Sequence, residues 1–203
     1  MCAEDRKPGD RTKAMRAVFA LALVTLLWTT GTASAESKSP FGGLFAGDPM
    51  IEAVRKGSLE DTKAAFINGA SVTKKTMDGT PVIILAVQAE SLEIVRFLVE
   101  NGARPDDRAR DEATALTVAS EIGIADIVTY LLDKGADINA PGSLREAALI
   151  KAARTRHNAV IRILLARGAD LEETDATGTT ALEIAERAGW TDTAELLRKA
   201  GRK

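Results

Sequence analysis

Cysteine, histidine and aromatic residues are scarce in this chain of 203 residues, which has one cysteine and one histidine. A single cysteine excludes a disulfide framework and a cysteine-based zinc site. A lone histidine, His157, excludes a histidine-rich metal centre and most Ser-His or Cys-His catalysis. Aromatics make up 4% of the residues, which is low for a sandwich or barrel. The formal net charge is only −2, so there is no electrostatic reason to bind nucleic acid. Neither a phosphate-binding GxxxxGK(S/T) loop nor a GxSxG elbow nor an HExxH helix occurs. The remaining composition, 45% hydrophobic and 28% charged, fits one soluble globular domain or two small ones.

The N-terminal stretch has its own pattern. Arg11, Lys13 and Arg16 form a basic lead to an apolar run from Ala17 to Trp28. Small residues follow and end in Ala33-Ser34-Ala35 before Glu36. Basic lead, short apolar core and an A-x-A site together describe a cleaved secretory signal peptide over residues 1–35. The functional start lies at Met1 or at Met15. An uncleaved membrane anchor is the rival reading. A helix of twelve apolar residues spans roughly 18 Å, against a hydrocarbon core of about 30 Å, so cleavage is expected. Cys2 precedes the apolar run, which argues against a lipoprotein anchor. Cleavage after Ala35 removes five basic and three acidic residues, taking the net charge from −2 to −4, and leaves no cysteine. The alanine-rich core and A-x-A site look bacterial, so the expected location is periplasmic or secreted. Residues 36–47 are rich in Gly, Ser and Pro and are expected to be a flexible tether; the alternative is that Phe41, Leu44 and Phe45 fold back over the first cap.

Beyond residue 48 the chain repeats. Gly-Ala pairs stand at Gly69, Gly102, Gly135 and Gly168, each 33 residues after the last, and Gly201 keeps the phase. Met50, Ile83, Leu116, Leu149 and Leu182 form a second column with this period. Ala53, Ala86, Ala119, Ala152 and Ala185 form a third, and Leu98, Leu131, Leu164 and Leu197 a fourth. A fixed period of this length in several columns means a stacked repeat protein. Each unit reads as two helices and a polar finger. In the third, Thr114 caps the first helix and Gly123 stops it in a left-handed conformation. A second helix follows over residues 124–134, with Ile127, Val128, Leu131 and Leu132 on one face.

These features resemble the ankyrin repeat. Thr80-Pro81, Thr114-Ala115-Leu116 and Thr180-Ala181-Leu182 match the family's T-P-L-H opening, and Gly135-Ala136-Asp137 and Gly168-Ala169-Asp170 match its G-A-D ending. The resemblance implies an all-α ankyrin-repeat solenoid over residues 48–203. It would hold about five helix–turn–helix units of 33 residues, caps included, joined by hairpin-like fingers. The family histidine is replaced by Ile84, Thr117, Ile150 and Glu183, which removes a recurrent bond between fingers and predicts looser ones. The fourth unit has Ala147 in place of the cap and Arg156 in place of the stop glycine, so it is expected to be locally least stable. In the second unit Thr80 comes one residue early, which predicts a shorter finger and a helix beginning at Pro81.

Candidate chemistry is thin. His157 heads a second helix and reads as structural. The acidic cluster Asp170, Glu172, Glu173 and Asp175 lacks the Asp/Asn ladder and closing Glu of a calcium loop. No metal, cofactor or enzymatic activity is expected. What the resemblance implies is a protein-binding concave face of fingers and first helices. Transferred position by position, the contact residues are Arg55, Lys56, Lys75, Met77, Gln88, Arg108, Arg110, Asp111, Glu121, Ser143, Leu144 and Arg154. Six of these twelve are basic, which favours a partner protein with an acidic surface. The expected molecule is a monomeric, non-enzymatic scaffolding or protecting module, with no nucleic acid partner and no stable membrane insertion. The alternatives are a signal-anchored inner-membrane adaptor and a secreted effector that binds a host protein.

Overall fold

The computed structural model describes residues 47–202. The expected signal peptide and nearly all of the expected tether lie outside the described residues. Among the described residues, ten α-helices follow one another in five antiparallel pairs. They are α1 (Pro49–Arg55), α2 (Leu59–Ile67), α3 (Val82–Gln88), α4 (Leu92–Glu100), α5 (Ala115–Ile122), α6 (Ala125–Asp133), α7 (Ala148–Arg154), α8 (Asn158–Ala166), α9 (Ala181–Arg187) and α10 (Thr191–Ala200). Odd-numbered helices pack on one another as an inner row, and even-numbered helices as an outer row. Among the described residues there is no strand, only the antiparallel bridges Lys75–Pro81 and Thr174–Thr180 in two fingers. The all-α repeat solenoid is therefore present.

The 33-residue columns become layers of the core. Met50, Ile83, Leu116 and Leu149 are buried on the inner row, and Leu98, Leu131, Leu164 and Leu197 on the outer row. The alanine column at Ala53, Ala86, Ala119, Ala152 and Ala185 is buried throughout. A methyl group there lets the paired helices approach where a larger side chain would hold them apart.

Helix starts follow local chemistry. Thr114 and Thr180 each accept from the backbone N–H three residues on, and Thr117 and Glu183 return the bond. Asp48, Ser58 and Ser91 cap α1, α2 and α4. Ala147 offers no side-chain bond to α7, as its sequence implies. The second unit corrects one expectation. Helix α3 begins at Val82, and Pro81 stands in the cap column, 33 residues before Thr114. Its finger is therefore in register with the others. Thr80 belongs to that finger, where its N–H donates to Thr76 Oγ1 at 3.0 Å and its hydroxyl to Asp78 at 3.1 Å.

The link between the two helices of each unit turns through a left-handed residue. Gly57, Glu90, Gly123, Arg156 and Gly189 have φ of 67°, 54°, 95°, 60° and 72°. The column demands this conformation even where the residue is not glycine, which costs about 1 kcal/mol or more for a side chain with Cβ. At Gly123 a second constraint is steric. A Cβ there would lie 2.5 Å from His157 Nδ1.

Candidate functional site

The fingers and the C-terminal ends of the inner helices carry the predicted contact residues. Arg55, Lys56, Gln88, Glu121 and Arg154 stand at or just after the ends of α1, α3, α5 and α7. Lys75 and Met77 lie on the second finger, Arg108, Arg110 and Asp111 on the third, and Ser143 and Leu144 on the fourth.

Neighbouring fingers are tied together despite the missing histidines. Lys75 Nζ donates to the Arg108 carbonyl at 2.8 Å, and Arg108 donates to the Pro141 carbonyl at 3.0 Å. Ser143 Oγ donates to Asp111 Oδ2 at 2.6 Å, and this bond holds the Asp111 carboxyl below the usual carboxylate range. The Ala176 N–H donates to the Leu144 carbonyl at 3.1 Å. Farther back, the Asp137 and Asp170 N–H groups donate to Asp106 and Asn139. The loose fingers expected from the sequence are thus replaced by a ladder that steps from each repeat to the next.

Two depressions gather part of the predicted set. A smaller one, of about 310 Å³, joins Arg55 and Gln88 with Asp78, Thr80, Leu85 and Ala89. A larger one, of about 740 Å³, joins Glu121, Leu144 and Arg154 between the third and fifth units. Met77 lines neither and stands fully exposed at its finger tip.

The floor of the larger depression is ionic. Glu146 is only 3% exposed and meets Lys151 Nζ at 3.2 Å and Arg154 at 2.5 Å. Lys151 also reaches Glu121 at 3.3 Å, and Arg154 reaches Asp175 at 2.9 Å. Asp175 Oδ1 accepts from the Thr177 hydroxyl at 2.6 Å and from the Thr177 and Thr179 N–H groups at 2.8 and 3.0 Å. The Thr177 hydroxyl, the Thr179 and Thr177 N–H groups and the Arg154 charge bring its pKa down to about 2. Its carboxylate is therefore fully committed to the finger and to Arg154.

These pairings change the charge of the face. Arg154 is neutralised by Glu146 and Asp175, and Arg108 by Glu112 at 3.0 Å. Lys56 lies 3.9 Å from Glu52. Among the described residues, Arg55, Lys75 and Arg110 of the predicted set face no carboxylate within salt-bridge distance, and all three belong to the first three units. His157 stands at the N-cap position of α8 without a side-chain bond to that helix, and its Nε2–H donates to the Glu121 carbonyl at 3.0 Å, tying the fourth unit to the third. That is a structural role.

Glu146, Lys151, Asp175 and Arg187 belong to the site but are not among the expected contact residues. One signal could have found Glu146. It stands where the period places Thr80, Ala113 and Thr179, so it is a charge in a column of small residues.

A row of paired helices with bonded hairpin fingers defines a helical-repeat solenoid, a scaffold that presents an extended surface. A family model described as ankyrin repeats (3 copies) matches residues 50–142, and one described as ankyrin repeats (many copies) matches residues 131–185. Together they run from residue 50 to residue 185, and the chain belongs to the ankyrin-repeat family. Domains of this kind are typically non-enzymatic protein-interaction modules. Among curated proteins, none matches the chain. Among the described residues no helix is long and apolar enough to cross a membrane.

Proposed function

We propose that this chain is an exported, non-enzymatic protein-binding module. Its first 35 residues direct export and are removed, and its finger and inner-helix face scaffolds or protects a partner in the periplasm or outside the cell. One observation carries the binding part. Three large apolar side chains are strongly exposed among the described residues: Ile67, Met77 and Leu144. Two of them sit at finger tips, at positions where the resemblance places partner contacts. Burying an exposed Met or Leu contributes roughly 1.5–3 kcal/mol, which a partner can supply and water cannot.

The export part rests on the ordered basic, apolar and A-x-A segments. A protein beginning at Glu36, read by intact mass after expression with its leader, is the expected product. Retention of residues 1–35 would refute cleavage. The binding part is tested by crosslinking the tagged protein in its envelope fraction. Reversing charge at Arg108 or Arg154 would disturb the fold, because both are tied to other units. The informative variant combines Met77→Ser, Arg110→Glu and Leu144→Asn. It should lose the crosslinked partner while keeping the helical circular dichroism signal. Undiminished crosslinking would refute this face as the binding surface.

A further inference from the structure

Leu144 combines two unfavourable features at one position. It is 72% exposed, and its φ is 58°, in the left-handed region that bulky L-residues rarely adopt. The other units place Asp78, Asp111 and Thr177 in this column. Its successor Arg145 is also left-handed, at φ 60°. The fourth finger therefore turns through two such residues in succession, as a short 3-10 turn over Ser143–Arg145. The carbonyl of Leu144, held by the Ala176 N–H, locks this geometry against the fifth unit. The locked turn sets an apolar side chain at the edge of the larger depression.

The rest of that depression suits a specific kind of group. Ala176, Ile184 and Ala188 continue the apolar edge from Leu144. Of the three cations on its wall, Lys151 and Arg154 already face carboxylates. Arg187 makes one long bond to the Thr179 hydroxyl, at 3.4 Å, and no salt bridge among the described residues. A guanidinium at the C-terminal end of α9, beside apolar lining, is a ready receiver for a carboxylate.

We infer that this depression takes a segment of the partner protein in which an apolar side chain adjoins an acidic one. The apolar side chain packs on Leu144 and the carboxylate pairs with Arg187. This rests on the binding role proposed above and names the chemistry of the segment.

The probe is a phage-displayed library of random peptides, selected against the purified chain. The best sequence is then resynthesised and its affinity measured by fluorescence polarisation. An apolar residue next to Asp or Glu should be enriched. Leu144→Asn keeps the left-handed turn, which asparagine tolerates well, and removes the apolar anchor. It should bind the peptide at least tenfold more weakly with undiminished thermal stability. Arg187→Gln should weaken binding by a similar factor, and changing the peptide's acidic residue to its amide should then have little further effect. No enrichment of the apolar–acidic pair, or unchanged affinity in both variants, overturns the inference. Peptides that respond to Met77→Ser or Arg110→Glu but not to Leu144→Asn also overturn it, and leave the broader binding role standing.

Discussion

Replacing Glu146 by Gln tests how the stack is held between its third and fifth units. Glu146 is almost completely buried and meets two cations, Lys151 and Arg154. Removing one partner of a fully buried ion pair costs about 3–5 kcal/mol, because a charge is left uncompensated. Two features lower that figure here. Lys151 keeps Glu121 at 3.3 Å, and Arg154 keeps Asp175 at 2.9 Å. The Arg154 side chain is also 46% exposed, so water screens much of its charge. Glutamine can accept from one cation but turns its own N–H donors toward the other. We expect a loss of about 2 kcal/mol. For a domain of this size that lowers Tm by roughly 4–8 °C.

The assay is urea unfolding followed by circular dichroism, with amide hydrogen exchange to locate the loss. Exchange should quicken first in α7, α8 and α9, because the network spans the third to fifth units. A double-mutant cycle with Lys151→Met should return a coupling of about 1 kcal/mol or more. A loss below about 0.5 kcal/mol, or one spread evenly over all ten helices, would refute the reasoning.

Three further outcomes follow from the backbone and from one carboxylate. Glu90 is exposed and left-handed at φ 54°, so Glu90→Gly should stabilise by about 0.5 kcal/mol in the same melts, strain relief exceeding the added chain entropy. Gly123→Ala adds a clash with His157 to its backbone strain and should cost roughly 2–4 kcal/mol. Gly57→Ala meets nothing within 4 Å and should cost only about 1 kcal/mol, so equal losses would dismiss the His157 contact. Asp175 titrates near 2 in the folded chain, against 3.8 for an ordinary aspartate. A lowered folded pKa stabilises above the unfolded value and is lost as pH falls through the folded one. Stability should therefore drop between pH 4 and about 2, and Asp175→Asn should flatten that part of a pH-dependent urea series.

What was legible in the sequence is what the period controls. The leucine and alanine columns, the Thr114 and Thr180 caps and the left-handed stops at Gly57, Gly123 and Gly189 follow from residue type and phase alone. Pro81 is less legible, because the dipeptide Thr80-Pro81 looks locally like a cap and a first helical residue, whereas the period sets Pro81 itself at the cap. The period prevails because α3 must stack on α5 and α1 at a common height, and a helix started one residue early would break that layer. Glu90 was missed for the opposite reason. Its column requires a left-handed residue, but glutamate carries no mark of it.

The ion network was illegible for a deeper reason. Period assigns each charge to a column, whereas pairing depends on side chains from three successive repeats converging at one level. Glu121, Glu146 and Asp175 come from different units and from different places within them. This bears on the fourth unit, which lacks both a side-chain cap and a glycine stop. On local propensity it should be the weakest, by about 1 kcal/mol for each deficiency. It also holds Glu146, Lys151 and Arg154, along with the His157 and Arg156 links to Glu121 and Asp192. Its local deficits thus coincide with the densest inter-repeat bonding in the stack. The same bonding holds the strained fourth finger, and Leu144 with it, in one position against the fifth unit. Local propensity is given up where tertiary contacts can replace it, and the segment so held is the one that presents the exposed leucine.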